Sequence, residues 1–335
     1  MRVTPDMLVK LAKDHLARRM RQPNDIIAVY LTGSVLRPEP LLGGTTDIDM
    51  VIIHKEDPAV AREVLRVSTE VSFDIEHHHQ SFYTFPRRLR QNPWLGFALC
   101  DHNSFLYDPD HWLDFIQAGV SAQFDTPESF YARSSALAEK ARQTWFELEA
   151  NETDSLPAWM VGYLKAVGLA VNAIAALSGQ ALTIRRLLLD FPARAEAVGQ
   201  LPLAGALARL LGNENFSPEA YHLWRPAWEQ ALLSASQAPN CPPNLSRARK
   251  PYFLTACDSI AESGTAFATL WPILETWRQS AEVLADVPAQ QESWLEFLAS
   301  LGFTSLTTEK MTQSLDYFIE QVEALLETWK GEYGL

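Results

Sequence analysis

Two aspartates, Asp47 and Asp49, stand two residues apart inside the apolar run TDIDMVII, and a Gly33-Ser34 pair closes another apolar run one loop earlier. At that spacing both carboxylates leave the same face of a strand. A carboxylate flanked by Ile48, Met50, Val51 and Ile52 is costly to desolvate, and two side by side repel unless a cation sits between them. Asp74 and Glu76 repeat the spacing in VSFDIEH, so a strand placed beside the first would complete a three-acid cluster, with either residue as the third acid. Oxygen ligands with open positions suit Mg²⁺, which keeps waters and substrate phosphates in its shell. Gly33 lets the backbone come close to a phosphate, and Ser34, at the start of a helical turn, offers a hydroxyl and free N–H groups to the same anion. Phosphate at one end and metal carboxylates at the other define a nucleoside triphosphate with its cation.

The elements that must hold these residues are legible as a pattern. Thr4-Pro5-Asp6 reads as a helix start, with Leu8, Leu11, Ala12 and Leu16 at helical spacing behind it. IIAVYL, DIDMVII and VSFDIEH read as buried strands, Pro58 to Thr69 as a helix between the last two, and SFLYD as a further strand. From Phe124 onward strand signals fade, and Ala, Leu and Trp dominate segments punctuated by Pro and Gly. In the last helix, Met311, Leu315, Phe318, Val322, Leu325 and Trp329 alternate steps of four and three, giving one apolar stripe. The expected fold class is α+β: a small mixed-sheet domain over residues 1–119, followed by an all-α domain over 120–335.

The bulk composition narrows the function. A chain of 335 residues with 47% hydrophobic content suits two domains with real cores. A net charge of -13 argues against a general hold on nucleic acid, which needs a basic surface to release phosphate counterions. Cys100, Cys241 and Cys257 are an odd number at no metal-ligand spacing, which fits a reducing cytoplasm. No apolar run is read as reaching the ~20 residues that span a bilayer, so no membrane association is expected.

Gly33-Ser34, a loop, Asp47-Ile48-Asp49 and a later strand carboxylate together resemble the signature of the nucleotidyltransferase superfamily related to DNA polymerase β. A short catalytic domain followed by a helical one is similar to the aminoglycoside nucleotidyltransferases that adenylylate kanamycin and streptomycin. The signature covers residues 26 to 79, and the rest matches in texture alone. The loop before Asp47 runs slightly long, and Thr46 stands where Ser is more usual. The resemblance implies Mg²⁺ held by Asp47, Asp49 and Asp74, with Asp74 or Glu76 completing the metal site or accepting the acceptor's proton. It further implies a triphosphate positioned by Gly33 and Ser34, and Arg37 at a position where minimal members often carry Arg. The implied reaction moves a nucleoside monophosphate, AMP from ATP first among the choices, to a hydroxyl of a small molecule received by the helical domain. The acidic chain is compatible with a cationic, aminoglycoside-like acceptor. A homodimer remains open. The alternatives are a protein- or tRNA-modifying adenylyltransferase and a non-catalytic nucleotide-binding or interaction protein on the same fold.

The superfamily commonly brings a Lys or Arg to the triphosphate, and Lys165 is the first choice because only it and Asn172 form a polar stripe on a nearly wholly apolar helix. Arg247, Arg249 and Lys250 stand out in an acidic chain and rank below it, since such runs are more often solvated helix starts. His77, His78 and His79 point to alternate strand faces and cannot chelate one ion together. Trp94, Trp159, Trp224, Trp228, Trp271 and Trp277 read as core and interface filling rather than base-stacking platforms. Cys100 with His102 lacks an oriented third partner for thiol catalysis.

Overall fold

The computed structural model describes residues 3–22, 24–150, 155–212 and 216–335. The chain divides into two compact units, Met1–Ser129 with Ala248–Ala256, and Phe130–Arg247 with Cys257–Leu335. The first unit therefore runs past the expected boundary at Gly119 and takes back a short segment from far along the chain, whose Arg249 side chain is spent on carboxylates of the sheet.

In the first unit, helix α1 (Pro5–Arg19) starts as its sequence dictates: the Thr4 hydroxyl accepts from the Met7 N–H at 3.4 Å and Pro5 opens the first turn. Strands β1 (Ile26–Thr32), β2 (Thr46–His54), β3 (Arg62–Arg66), β4 (Val71–His79) and β5 (Phe105–Tyr107) form one sheet in the order β3-β4-β2-β1-β5. β2 and β4 are parallel, and every other neighbouring pair is antiparallel. The fold class is thus α+β with a mixed sheet.

The segment expected to be a helix between β2 and β4 is instead the edge strand β3. Its residues can pair with β4 from Arg62 opposite Glu76 to Arg66 opposite Ser72, and the Ser68 hydroxyl closes the hairpin by accepting from the Glu70 and Val71 N–H groups at 3.1 Å. Helical spacing of Val and Leu over so short a stretch loses to that ladder, and the Arg and Glu residues suit an exposed sheet edge.

Period-two alternation gives the sheet two different faces. Ile48, Met50 and Ile52 of β2, with Phe73 and Ile75 of β4, pack under Leu8, Ala12 and Leu16 of α1. Each such side chain, taken wholly out of water, contributes about 1.5–3 kcal/mol. On the opposite face Ala28, Tyr30, Val51 and Ile53 meet Leu89 of α2 (Pro86–Arg90), Leu99 of α3 (Leu95–Cys100) and Leu113, Ile116 and Val120 of α4 (Trp112–Ser121). Odd-numbered residues of β2 and even-numbered residues of β4 share this second face, and with them go all the acids singled out in the sequence.

The second unit is helical throughout its described residues. Its chain runs through α5 (Pro127–Ala150, which begins in the first unit), α6 (Leu156–Ala175), α7 (Leu187–Ala197), α8 (Pro202–Leu210), α9 (Pro218–Ala235), α10 (Lys250–Glu262, which also begins in the first unit), α11 (Leu270–Val283), α12 (Pro288–Ser300) and α13 (Thr308–Tyr333). The expected stripe on α13 buries Leu315, Phe318, Val322 and Leu325, while Met311 and Trp329 at its ends are only half-buried. Arg142 ties α5 to α13 through two bonds to Glu323, at 2.9 and 2.8 Å, and one to Asp316. Contrary to the sequence reading, one helix among the described residues is long and apolar enough to cross a membrane by length and composition, Leu156–Ala175, and 67% of its most apolar window is buried. Trp228 and Trp277 are fully buried, the former donating to Thr276 Oγ1 at 2.9 Å, as core-filling residues should.

Candidate active site

β2 and β4 lie side by side with Asp49 opposite Asp74, so the sheet brings Asp47, Asp49 and Asp74 together. One carboxylate oxygen from each lies within 4.8 Å of the other two. Asp47 and Asp74 are 1% and 4% exposed, and Asp49 is half-buried. Of the two residues competing for the third position, Asp74 belongs to the cluster; Glu76 lies one step further along the same strand face.

β1 places the glycine turn against these acids. Thr32, its last residue, pairs with Asp49, and Gly33–Leu36 then forms a single 3-10 turn. Gly33 has a φ of +69°, and a Cβ there would lie 2.0 Å from Asp49 Oδ2, so both conformation and space demand glycine. The sequence reading gave this glycine to a phosphate; the group that approaches it here is the Asp49 carboxylate. Ser34 Oγ and Thr46 Oγ1 share a hydrogen bond at 3.0 Å, and Thr46 Oγ1 also donates to the Pro40 carbonyl at 3.1 Å. Thr46, the departure from the more usual Ser, thereby ties the turn to the start of β2. Arg37 follows the turn, half-buried, with its backbone N–H donating to the Ser34 carbonyl at 2.9 Å.

Two arginines face the acids. Arg62 of β3 grips Asp74 with both ends of its fork, Nε to Oδ1 at 2.6 Å and Nη2 to Oδ2 at 2.5 Å. Arg249, 7% exposed, donates to Asp47 Oδ2 at 2.6 Å and to Asp74 Oδ2. Its guanidinium carbon lies 4.7 Å from the Tyr252 ring centre and 5.6 Å from that of Phe253. Burial by itself would lower the Arg249 pKa, but Asp47, Tyr252 and Asp74 raise it, so the group stays cationic. Burial first, then Asp47 and Asp74, push the Asp49 carboxyl well above the usual carboxylate range. With all three carboxyls ionised the acids would outnumber the two bases in a buried place, and that crowding is what raises Asp49.

The arrangement fits a divalent cation. Every donor in the triad is a carboxylate oxygen, the hard ligand that Mg²⁺ selects. Asp47 Oδ1 is buried and accepts no hydrogen bond, which costs about 1–3 kcal/mol unless something positive meets it. Arg249 Nε is likewise buried without an acceptor, so the two arginines do not satisfy the cluster on their own.

Glu76 lies on the same strand face, paired with His78. A bond from His78 is the main cause that holds its pKa below the usual range, so it is ionised near neutral pH. His78 Nε2 lies 3.3 Å from Glu76 Oε2, and its Nδ1 pairs with the Tyr83 hydroxyl at 2.7 Å, which in turn meets the Tyr30 hydroxyl at 2.9 Å. The three consecutive histidines disperse as strand alternation requires: His77 goes to the α1 face, and His79 to Ser81 and the Lys55 carbonyl.

Lys165 belongs to the helical unit and is exposed on α6. Its presumed stripe partner is not part of a polar face: Asn172 is buried, donating to the Gly168 carbonyl at 3.0 Å and accepting from the Leu182 N–H at 2.6 Å. Asn172 is a structural residue of that unit, and the stripe argument for Lys165 falls with it. No family model matches this chain, and no curated protein matches it.

Sequence reasoning ranked Arg249 low and passed over Arg62. Arg62 was hidden by the helix expected over Pro58–Thr69; reading AREVLR as the hairpin partner of VSFDIEH would have put it beside Asp74. Arg249 is 175 positions from Asp74 and 202 from Asp47, so no local pattern could pair them. The one available signal was a basic cluster in an acidic chain.

Proposed function

We propose that the protein is a Mg²⁺-dependent nucleotidyltransferase that moves a nucleoside monophosphate from a nucleoside triphosphate, ATP first among them, to a hydroxyl of a small molecule. The observation that carries this reading is the convergence of Asp47, Asp49 and Asp74 from two parallel strands, with one buried carboxylate oxygen of Asp47 unpartnered, beside a glycine turn. Asp47, Asp49 and Asp74 are the residues that would hold Mg²⁺. Bound there, the ion would neutralise charge that develops on the phosphate oxygens.

The remaining roles belong to the chain. Arg62 fixes the rotamer of Asp74 through two hydrogen bonds, so the third carboxylate is held before any ligand arrives. The Gly33–Leu36 turn, clamped to β2 through Ser34 and Thr46, presents the start of a short helical turn to phosphate oxygens. Glu76, ionised and half-exposed on the same strand face, accepts the proton of the acceptor hydroxyl. A bond then forms from that oxygen to the α-phosphorus, the α–β bridging bond breaks, and pyrophosphate leaves with its electron pair. A protein acceptor is the second reading within the same chemistry.

The test is pyrophosphate release from ATP and the other nucleoside triphosphates across a panel of aminoglycosides, other polyols and proteins, with Mg²⁺ present or chelated. Mg²⁺-dependent release with one acceptor supports transfer and names it. Calorimetry showing no triphosphate binding with or without Mg²⁺ would remove the reading.

A further inference from the structure

Arg249 and a metal ion draw on the same carboxylates. The guanidinium holds Asp47 Oδ2 at 2.6 Å and Asp74 Oδ2, and Asp47 and Asp74 are two of the three ligands of the candidate metal site. A carboxylate oxygen has few lone-pair positions, and those occupied by a charge-assisted bond are lost to a cation approaching from the same side. The charge count sharpens the conflict. With Arg62 and Arg249 both in place, a divalent ion would set four positive charges against three carboxylates in a buried space, which is unfavourable unless a cation leaves or an anion arrives.

Of the two arginines, Arg249 is the one shared between two of the candidate metal ligands. Arg62 is paired through both nitrogens to Asp74 alone and sits on a strand of the same sheet. Arg249 closes a three-residue 3-10 turn, Arg247–Arg249, that follows the Pro-rich segment QAPNCPPN, and it divides its bonds between two acids while leaving Nε unpartnered. Its flat face rests over the Tyr252 and Phe253 rings, a contact that tolerates sliding because it has no fixed hydrogen-bond geometry.

We propose that Arg249 is a tethered cation that competes with the divalent metal for Asp47 and Asp74, and that the nucleotide's phosphates take up its guanidinium when the metal enters. This inference rests on the metal-site reading above. Metal and nucleotide then bind cooperatively: a phosphate that engages Arg249 frees carboxylate oxygens for the metal, and by linkage each ligand strengthens the other by the same factor. The site stays closed to free cation and fills when cation and triphosphate come together.

The test uses Mn²⁺ as the probe, read by calorimetry and by thermal melting on the full chain, with and without an ATP analogue whose α–β bridging oxygen is a methylene. For the native protein the analogue should tighten Mn²⁺ binding about tenfold or more. In Arg249→Gln, Mn²⁺ alone should bind about tenfold tighter than to the native chain and raise the melting temperature further, and the analogue should add little. Equal or weaker Mn²⁺ binding by Arg249→Gln overturns the competition while leaving the metal site standing. Failure of Mn²⁺ to bind either protein, with or without the analogue, removes the metal-site reading and the competition with it. Should Arg249→Gln not fold, Arg249→Lys decides: its single ammonium cannot span two carboxylates as a fork does, so Mn²⁺ affinity should still rise, and unchanged affinity overturns the proposal.

Discussion

The parallel strands β2 and β4 carry charge on both faces, and the two faces resolve it differently. On the α1 side the polar groups form a line: Asp25 Oδ1 meets His54 Nδ1 at 2.8 Å, His54 Nε2 meets His77 Nδ1 at 2.9 Å, His77 Nε2 meets Glu63 Oε1 at 2.9 Å, and Arg19 closes on Glu63. No buried atom of these five side chains lacks a partner, although His15 Nε2 on the same side does. On the other face, Asp47, Asp49 and Asp74 outnumber Arg62 and Arg249, and Asp47 Oδ1 and Arg249 Nε are left unpartnered. Paired, partly buried charge is therefore not the mark of a site in this molecule. What sets the acid face apart is crowding together with an unsatisfied carboxylate oxygen, since single unpartnered atoms such as His15 Nε2 and Asp108 Oδ1 occur elsewhere.

Substitutions on the two faces should have opposite signatures. Asp49→Asn is expected to weaken divalent-metal affinity by more than about 100-fold, since even the outer-shell partners of a metal site are worth 10–100-fold. In chelator the same variant should melt at a higher temperature than the native protein, because the ionised Asp49 is disfavoured by burial and by its two acidic neighbours. A variant that lost both stability and metal binding would make the acid cluster a structural feature and erase the contrast. Gly33→Ala acts on the same face through the backbone: a left-handed alanine whose Cβ collides with Asp49 Oδ2 should cost about 1–3 kcal/mol in denaturant unfolding and also weaken metal binding.

On the α1 face, His77→Ala leaves His54 and Glu63 without their shared partner and should destabilise the fold by about 1–3 kcal/mol. Its metal affinity should equal that of the native chain; a fall comparable to that of Asp49→Asn would couple the two faces and break the comparison. The smallest effect is a pH signature. Burial pushes Glu63 upward, but its bonds to His77 and Arg19 leave its pKa below the ordinary carboxylate value. A carboxylate depressed in the folded state stabilises the protein above its unfolded pKa of about 4.5 and loses that contribution as the pH falls through the folded value. Glu63→Gln should therefore flatten the acid limb of a melting-temperature profile below about pH 4.5 and leave its neutral plateau lower.

The sequence exposed the acid face more fully than the α1 face, for a physical reason. Asp47, Asp49 and Asp74 announce themselves because a carboxylate inside an apolar strand is costly and local spacing assigns them to one face. Gly33 was equally visible, although its neighbour is Asp49 rather than an anion in solution. The line from Asp25 to Arg19 was invisible, since each member looks like an ordinary polar residue at an element's end and only the register of β2, β3 and β4 aligns them. β3 was lost because a short Val and Leu pattern satisfies both helix and strand periods, and pairing with β4 decides between them. Arg249 required the chain to return from the far side of sequence, which periodicity cannot report.

The claim that the acid face is completed by a divalent cation has one direct measurement: anomalous diffraction from crystals of the full chain grown with Mn²⁺ and a nonhydrolysable triphosphate. The expected result is an anomalous peak within about 2.5 Å of carboxylate oxygens of Asp47 and Asp49, with Asp74 beside it. A map with no peak at these residues, while Arg249 still bridges Asp47 and Asp74, would contradict it.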